Sequence, residues 1–368
     1  MAAVEDVTAN LPSLQFEAAL TREEKQMLYL RGRSHALTVS ACAQAAFLVA
    51  VLNDARQKIV EIKFPVKKRS SKLLQEAPKR DPLLVGIIGC GRLGKQLAST
   101  LLKFSDVHPE ELFLSTRRPE TLSALQIKGV HCGFDNAKVC SSVHLLFICC
   151  LPSQLQTVAK EIKGHLKCPV YVLVGGTPLL RICQLLGYDQ IIKPEFSWKK
   201  PDPDDESCNN WNIGKEINEI LREDPSSCDV TCPLNLNKDT AIVQTAEEWA
   251  ELAVLAFFNM CTDKELDKEE TIRLCNTIMF GMGPTDDPLD GISLDEVVSD
   301  ENPLAISNSS VDEKYFPRFD LSKLSTSRWK IGERLMEPSG SLRRLFVKRY
   351  RAVFDKFQYW KGVPTSMS

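Results

Sequence analysis

An imbalance of charge is missing from this sequence: 46 lysines and arginines face 48 aspartates and glutamates, a formal net charge of −2 over 368 residues. Global charge therefore gives no reason to expect nucleic acid or an acidic polymer as a partner. Histidine is scarce as well. The five present (His35, His108, His131, His144, His165) show no metal-ligand spacing. His131 and His144 fall in or beside apparent strands, where a structural role is simpler than acid–base work. No internal repeat is found. The first twenty residues lack the basic region and apolar run of a secretory signal. Glu5, Asp6 and Glu17, with no arginine before Arg22, disfavour a mitochondrial presequence. A cytoplasmic location is the expectation. The uncharged stretch Ala36–Leu52 approaches the length of a spanning helix. Thr38, Ser40, Gln44 and many alanines make it a poor insertion sequence, so a buried helix is expected and no membrane span.

Cysteine is not among the shortages. Thirteen are present, an odd number scattered through apparent strands and helices (Cys90, Cys132, Cys149, Cys150, Cys183), as reduced thiols of a cytosolic protein are. Cys228 and Cys232 have no histidine or second cysteine pair close in sequence to complete a zinc site, so no metal is expected. With 43% hydrophobic and 26% charged residues, the chain has room for two domains and a real core.

Helical patterns run from Phe16 to Leu30 and from Ser34 to Ile62, followed by a basic linker that includes Lys67, Lys68 and Arg69. From Pro82 the pattern changes. Short apolar runs (Leu83–Gly89, Glu111–Thr116, Val130–Cys132, Val143–Cys150, Pro169–Val174, Gln190–Lys193) alternate with helical stretches (Arg92–Phe104, Pro119–Ile127, Pro152–Ile162, Thr177–Leu186). Alternation of this kind is the mark of βαβ units in a parallel, doubly wound sheet. Ser197–Asn212 reads as loop, and helices are expected over Thr240–Met260 and Lys264–Met279. Thr285–Glu313 holds nine acidic residues and no basic one. Ser341–Trp360 reverses the sign, with Leu342, Leu345, Phe346, Tyr350, Val353, Phe354 and Phe357 at helical spacing. This basic amphipathic helix has three readings: docking on the protein's own core or a partner subunit, an acidic membrane surface, or a calmodulin-type target. Self-docking against the acidic segment is the favoured one.

The expected architecture is α/β: a Rossmann-type doubly wound sheet with an N-terminal helical extension and a helical C-terminal region. Four segments follow: 1–80, extension and basic linker; 81–195, the nucleotide domain; 196–284, loop-rich then helical; 285–368, acidic segment then basic helix.

The chemistry centres on Gly89-Cys90-Gly91-Arg92-Leu93-Gly94, which follows a buried strand and opens a helix. That context gives a GxGxxG its meaning: a tight turn, a close pyrophosphate, and close helix–strand packing. NAD-specific sites place a carboxylate about 20 residues beyond the glycines. Here that place reads Ser115-Thr116-Arg117-Arg118, two hydroxyls and two guanidiniums suited to a 2′-phosphate. The expected cofactor is NADP(H).

These residues resemble the cofactor domain of the pyrroline-5-carboxylate reductases from Val85 to about Pro194. Ile88–Leu93 match that family's phosphate loop. The resemblance puts Ser115 at the 2′-phosphate and Asn136 on the adenosine side. Cys149-Cys150-Leu151-Pro152 stands at the family's Ala-Val-Lys-Pro turn beside the nicotinamide, and Val174-Gly175-Gly176 at its Ala-Ala-Gly turn. The family's Met-Pro-Asn-Thr-Pro is replaced by Lys193-Pro194-Glu195-Phe196-Ser197. Gly281-Met282-Gly283-Pro284 lacks the hydroxyl of the family's Gly-Ser-Gly-Pro-Ala-Tyr segment, so no catalytic residue is carried over. Lys193 is either a proton donor beside the nicotinamide or part of a surface Lys-Pro-Glu loop. The family's helical dimerisation domain leaves a homo-oligomer open. Two functions are therefore carried forward. One is an NADP(H)-dependent oxidoreductase reducing a C=N or C=O bond of an unidentified small molecule, not making proline. The other is a catalytically inactive NADP(H) sensor or scaffold.

Overall fold

The computed structural model describes residues 20–27, 29–64, 80–198, 212, 214–223, 225–235, 242–297, 314–323 and 329–355. Its sheet has six parallel strands in the order β3-β2-β1-β4-β5-β6. They are β1 (Val85–Ile88), β2 (Leu112–Ser115), β3 (His131–Gly133), β4 (Leu145–Ile148), β5 (Val170–Val172) and β6 (Ile191–Ile192). Strands β1 and β4 are buried at every position, because helices cover both faces. Val85, Ile87, Leu145 and Phe147 face one core, and Ile88, Leu146 and Ile148 the other. The strand order reverses between β1 and β4, which opens a crevice at their carboxyl ends.

Helix α1 (Arg22–Gln26) precedes α2 (Tyr29–Lys63), which lies along α3 (Arg92–Phe104) on the first face. The apolar stretch expected to be a buried helix is one: Val39 to Leu52 is buried at every residue. By length and mean hydropathy α2 could cross a membrane, but 83% of its most apolar window is enclosed by the protein itself. A helix apolar on all sides needs enclosure on all sides. Phe47 meets Tyr350, Phe346 and Trp249 at ring-centroid distances of 5.0, 5.2 and 6.2 Å. Three polar side chains of α2 reach partners in other elements, while Gln44 Oε1 has none among the described residues. Gln44 Nε2 donates to Thr231 O at 2.9 Å and Thr245 Oγ1 at 2.6 Å. Asn53 donates to the carbonyls of Ser105 and Asp106 and accepts from Leu83 N. Arg56 pairs with Asp81 at 2.7 Å, and Lys264 reaches the same carboxylate at 2.6 Å.

The second face is covered by α5 (Asn136–Ser142), α6 (Pro152–Ile162) and α7 (Leu179–Leu186), with α4 (Ser123–Ile127) between β2 and β3. Helix α5 has no counterpart in the sequence reading. It is a short helix, too short to show a period, and it is capped by Asp135, which accepts from Lys138 N at 2.9 Å. Ser197 and Trp198, expected in a loop, belong to β7 (Phe196–Trp198), which pairs antiparallel with β8 (Val243–Thr245). The helix expected from Thr240 consequently starts at Glu248. The next begins at Lys268 under an Asp267 cap and closes with a π turn at Cys275–Met279.

The C-terminal basic helix, Ser341–Phe354, docks on the protein's own core, and its described ion pairs use carboxylates outside the acidic segment, of which residues 298–313 lie outside the described residues. Arg343 and Arg349 are buried and pair with Glu247 at 2.9 Å and Asp54 at 2.8 Å, while Arg351 pairs with Asp229. Their guanidiniums also take the carbonyls of Leu234 and Ile278. A buried guanidinium needs fixed acceptors close by, and these carboxylates and carbonyls supply them. Within the described part of the acidic segment, Glu296 serves Arg334 instead, at 2.8 Å.

Two outcomes follow from this packing. Phe47→Ala should cost about 3–5 kcal/mol in urea unfolding, and a loss under about 1 kcal/mol would contradict the enclosed-helix picture. Burial works against the Asp81 carboxylate, but Lys264 and Arg56 outweigh it and hold its pKa below the ordinary 3.8. A depressed carboxyl contributes stability that is complete above its unfolded value and is lost as pH falls through the folded one. Asp81→Asn should therefore be less stable than the parent at neutral pH, with the gap closing in strong acid. A gap independent of pH would refute that role.

Candidate nucleotide site at the carboxyl edge of the sheet

The glycine loop is stapled to the end of β2. Gly89 N and Cys90 N both donate to Ser115 O, at 3.0 and 3.1 Å, and Gly91 N donates to Gly89 O at 2.7 Å. Thr116 N donates to Gly133 O, Cys149 N to Ile88 O and Leu173 N to Ile148 O, which ties the other strand ends together. The loops after β1, β2, β3 and β4 thus meet at one rim.

The three glycines of the loop are required for different reasons. Gly89 has φ +81°, and a Cβ there would stand 2.6 Å from Cys150 N. Gly94 lies under the loop, where a Cβ would come within 3.2 Å of Gly89 O. Gly91 is exposed, and its Cβ would meet nothing nearer than Gly89 O at 4.0 Å. Packing does not explain Gly91, which leaves the space above the loop open. Gly91 is also the N-cap of α3, with no side-chain cap and no acid in the first turn, so the uncapped N–H groups favour an anion there. An uncapped helix start below an open glycine fits a dinucleotide pyrophosphate.

The neighbouring residues divide. Ile88, Cys90, Gly94, Ser115, Cys150 and Val174 are buried; Gly91, Arg92, Arg117, Arg118, Leu151, Pro152, Gly175 and Gly176 are exposed; Gly89, Leu93, Thr116, Asn136 and Cys149 are intermediate. The guanidiniums of Arg117 and Arg118 make no hydrogen bond or ion pair with described residues, and stand just beyond β2. Ser115 contributes its main chain to the glycine loop. The Asn136 amide donates to Glu161 on α6 at 2.5 Å. Burial pushes the thiols up, to about 12 for Cys90 and about 11 for Cys150, so they stay protonated and serve as wall rather than nucleophile.

The candidates for proton transfer are elsewhere. Lys193 follows β6, two strands beyond β4, and is ion-paired with Glu195; its side chain is 8% exposed. Gly281–Pro284 is a turn closed by Asp286, which accepts from Gly283 N at 2.8 Å, and it packs on Arg349 of the C-terminal helix. His131 stacks on Phe113 at 4.7 Å, and His144 Nδ1 accepts from Leu84 N at 3.1 Å, both structural arrangements.

Two features escaped the sequence reading. Phe134, directly after β3, is 78% exposed and, with the expected Leu151 at 63%, gives the rim an apolar edge. Beside Arg92 a cavity of about 450 Å³ opens against the first turns of α2. Its signal was polar residues on one side of the start of a helix whose centre is apolar all round.

This arrangement defines a dinucleotide-type Rossmann domain carrying a helical bundle. The family described as NADP oxidoreductase coenzyme F420-dependent matches residues 84–174. The mouse NADP-dependent oxidoreductase domain-containing protein 1 is 34% identical over 279 residues, 75% of this chain and 74% of that protein. The pyrroline-5-carboxylate reductase of Escherichia coli (strain K12) is 26% identical over 111 residues, 29% of this chain and 41% of the enzyme. The solved pyrroline-5-carboxylate reductase of Coxiella burnetii aligns at 15% identity over 75% of this chain and 98% of its own, with a TM-score of 0.29. The chain belongs to the family of NADP-dependent oxidoreductase domain-containing protein 1, a divergent branch of the pyrroline-5-carboxylate reductase-like proteins.

The glycine assignments separate by stability. Gly89→Ala should destabilise by at least about 1–3 kcal/mol, whereas Gly91→Ala should stay within about 0.5 kcal/mol of the parent. Equal losses in thermal unfolding would remove the ligand argument for Gly91.

Proposed function

We propose that this chain binds NADP(H) at the glycine loop and reduces a C=N or C=O bond of a small molecule, without making proline. The observation that carries the reading is the open position above Gly91, on a loop tied to Ser115 O, with the Arg117 and Arg118 guanidiniums just after Ser115 and unpaired among the described residues. When bound, NADP(H) supplies the hydride. The loop Ile88–Gly94 and the start of α3 would hold the pyrophosphate. Thr116, Arg117 and Arg118 would take the 2′-phosphate, with the Ser115 hydroxyl as the resemblance assigns it. Cys149–Pro152 and Val174–Gly176 would flank the nicotinamide and exclude water, and Asn136 would approach the adenosine if it released Glu161. The twelve described cysteines are free thiols, which suits a cytosolic setting.

One observation favours the sensor or scaffold instead. The stretch that replaces the family's substrate motif is occupied by the Lys193–Glu195 ion pair and by β7, and Gly281–Pro284 is packed against Arg349. Turnover decides between them, and binding underlies both.

Titration with NADPH and NADH tests the shared claim. NADPH should bind the more tightly. Arg117→Ala/Arg118→Ala should weaken NADPH about tenfold or more, as loss of charge-assisted hydrogen bonds does, and leave NADH little changed. Equal losses for both nucleotides would refute the 2′-phosphate role. Oxidation of NADPH with any of a panel of cyclic imines and ketones would favour the reductase; binding with none would favour the sensor.

A further inference from the structure

Beyond β2 the rim continues to the end of β3. Thr116 N donates to Gly133 O at 2.9 Å, which fixes one strand end against the other. One residue past that tie stand Arg117 on the β2 side and Phe134 on the β3 side, both exposed. Neighbouring strands lie about 4.8 Å apart, so β3 is roughly 10 Å from β1 and its glycine loop, about the reach of one nucleoside. In a dinucleotide site the first loop takes the pyrophosphate and the end of β2 meets the adenosine ribose. The base is then carried on towards β3.

Phe134 is 78% exposed there. A single exposed apolar side chain means little by itself, but the ordinary reason for one at this position does not apply. Phe134 directly precedes Asp135, the N-cap of α5. An apolar residue before an N-cap often closes down on the fourth residue of the helix, here Val139. Val139 is buried in the core of the second face, while most of the Phe134 ring is left to solvent. The place beside it is open as well, since a Cβ on Gly133 would meet nothing within 4 Å. The neighbouring groups are already engaged. Asp135 accepts from Lys138 N at 2.9 Å, and the His131 ring is stacked on Phe113 at 4.7 Å. An aromatic face is thus presented at the open end of β3, with its backbone held by the strand on one side and a capped helix on the other.

We propose that Phe134 is the stacking platform for the purine base of the bound dinucleotide, which lies over the open end of β3. The assignment rests on the nucleotide reading given above and adds its base end. Stacking on a phenyl face is indifferent to the 2′-phosphate. Phe134 therefore sets affinity for the adenosine half that NADPH and NADH share, whereas Arg117 and Arg118 set the choice between them. This division holds for a reductase and for a sensor alike.

The test uses the full chain with NADPH, NADH and adenosine 2′,5′-bisphosphate, which carries the base and the 2′-phosphate without the nicotinamide. Phe134→Ala should weaken all three by about fivefold or more, and by a similar factor. Its melting temperature without ligand should stay within about two degrees of the parent, because the ring is exposed. Phe134→Tyr, which keeps the aromatic face, should hold affinity within about twofold. Phe134→Trp adds a direct readout: its extra emission over the parent should be quenched by adenosine 2′,5′-bisphosphate. Unchanged affinities in Phe134→Ala, a loss confined to NADPH, or emission of Phe134→Trp that ignores the bisphosphate would each overturn the platform and leave the nucleotide reading standing. If the parent binds none of the three ligands, the nucleotide reading fails and the platform with it.

Discussion

A helix with no face to give to water sets the terms for the rest of this molecule. From Val39 to Leu52 every residue of α2 is buried, so the chain must surround it. The sheet unit supplies one side through α3. The helices Glu248–Asp263 and Ser341–Phe354 supply others, bringing Trp249, Phe346 and Tyr350 around Phe47. Most of the stabilisation comes from apolar area, but direction comes from the polar exceptions. Gln44, Asn53 and Arg56 each have a partner in a different element, so sliding or rotating α2 by one residue would strand buried polar groups. The basic C-terminal helix is fixed by the same rule, each buried guanidinium holding its own carboxylate and carbonyl.

That enclosure matters for the nucleotide rim because the rim is assembled from loops. The glycine loop hangs from Ser115 O, and Cys149–Cys150 presses on Gly89 so closely that no Cβ fits between. Loops in such contact keep their geometry only if the strands beneath them do not shift. Strands β1 and β4 are buried on both faces, one of them by the core that contains α2. The bundle therefore supports the rim without touching most of it.

The parts that were legible in the sequence are those whose causes are local. A continuous apolar run, a glycine turn and an amphipathic helix stand within twenty residues of each other, and Arg92–Phe104 and Pro152–Ile162 appear with the expected bounds. The parts that were not legible depend on distant partners. Strand β7 pairs with β8 across a long insertion, Phe196 opposite Thr245, and neither strand has enough residues to show alternation. Helix α5 is too short for a period. Arg343 and Arg349 look like the polar face of a surface helix until Glu247 and Asp54, far away in sequence, are placed beside them. Asn136 shows the same limit within the site: its position follows from the alignment of loops, but its partner, Glu161, belongs to another helix.

The cavity beside Arg92 follows from the one place where α2 changes character. Before Val39 the helix keeps polar side chains on one side, and from Val39 to Asn53 every residue is buried. Arg31, Ser34, His35 and Thr38 line the cavity beside Arg92 at the start of the helix. A helix that only lined a cavity would have no need of the apolar turns beyond. Joining the two in a single rigid element has a mechanical consequence. The polar turns are positioned by the buried ones, because a helix transmits position along its axis with little bending over a few turns. Packing around Phe47 therefore sets where Arg31 and His35 stand relative to Arg92 and the glycine loop, and the core and the cavity cannot vary independently.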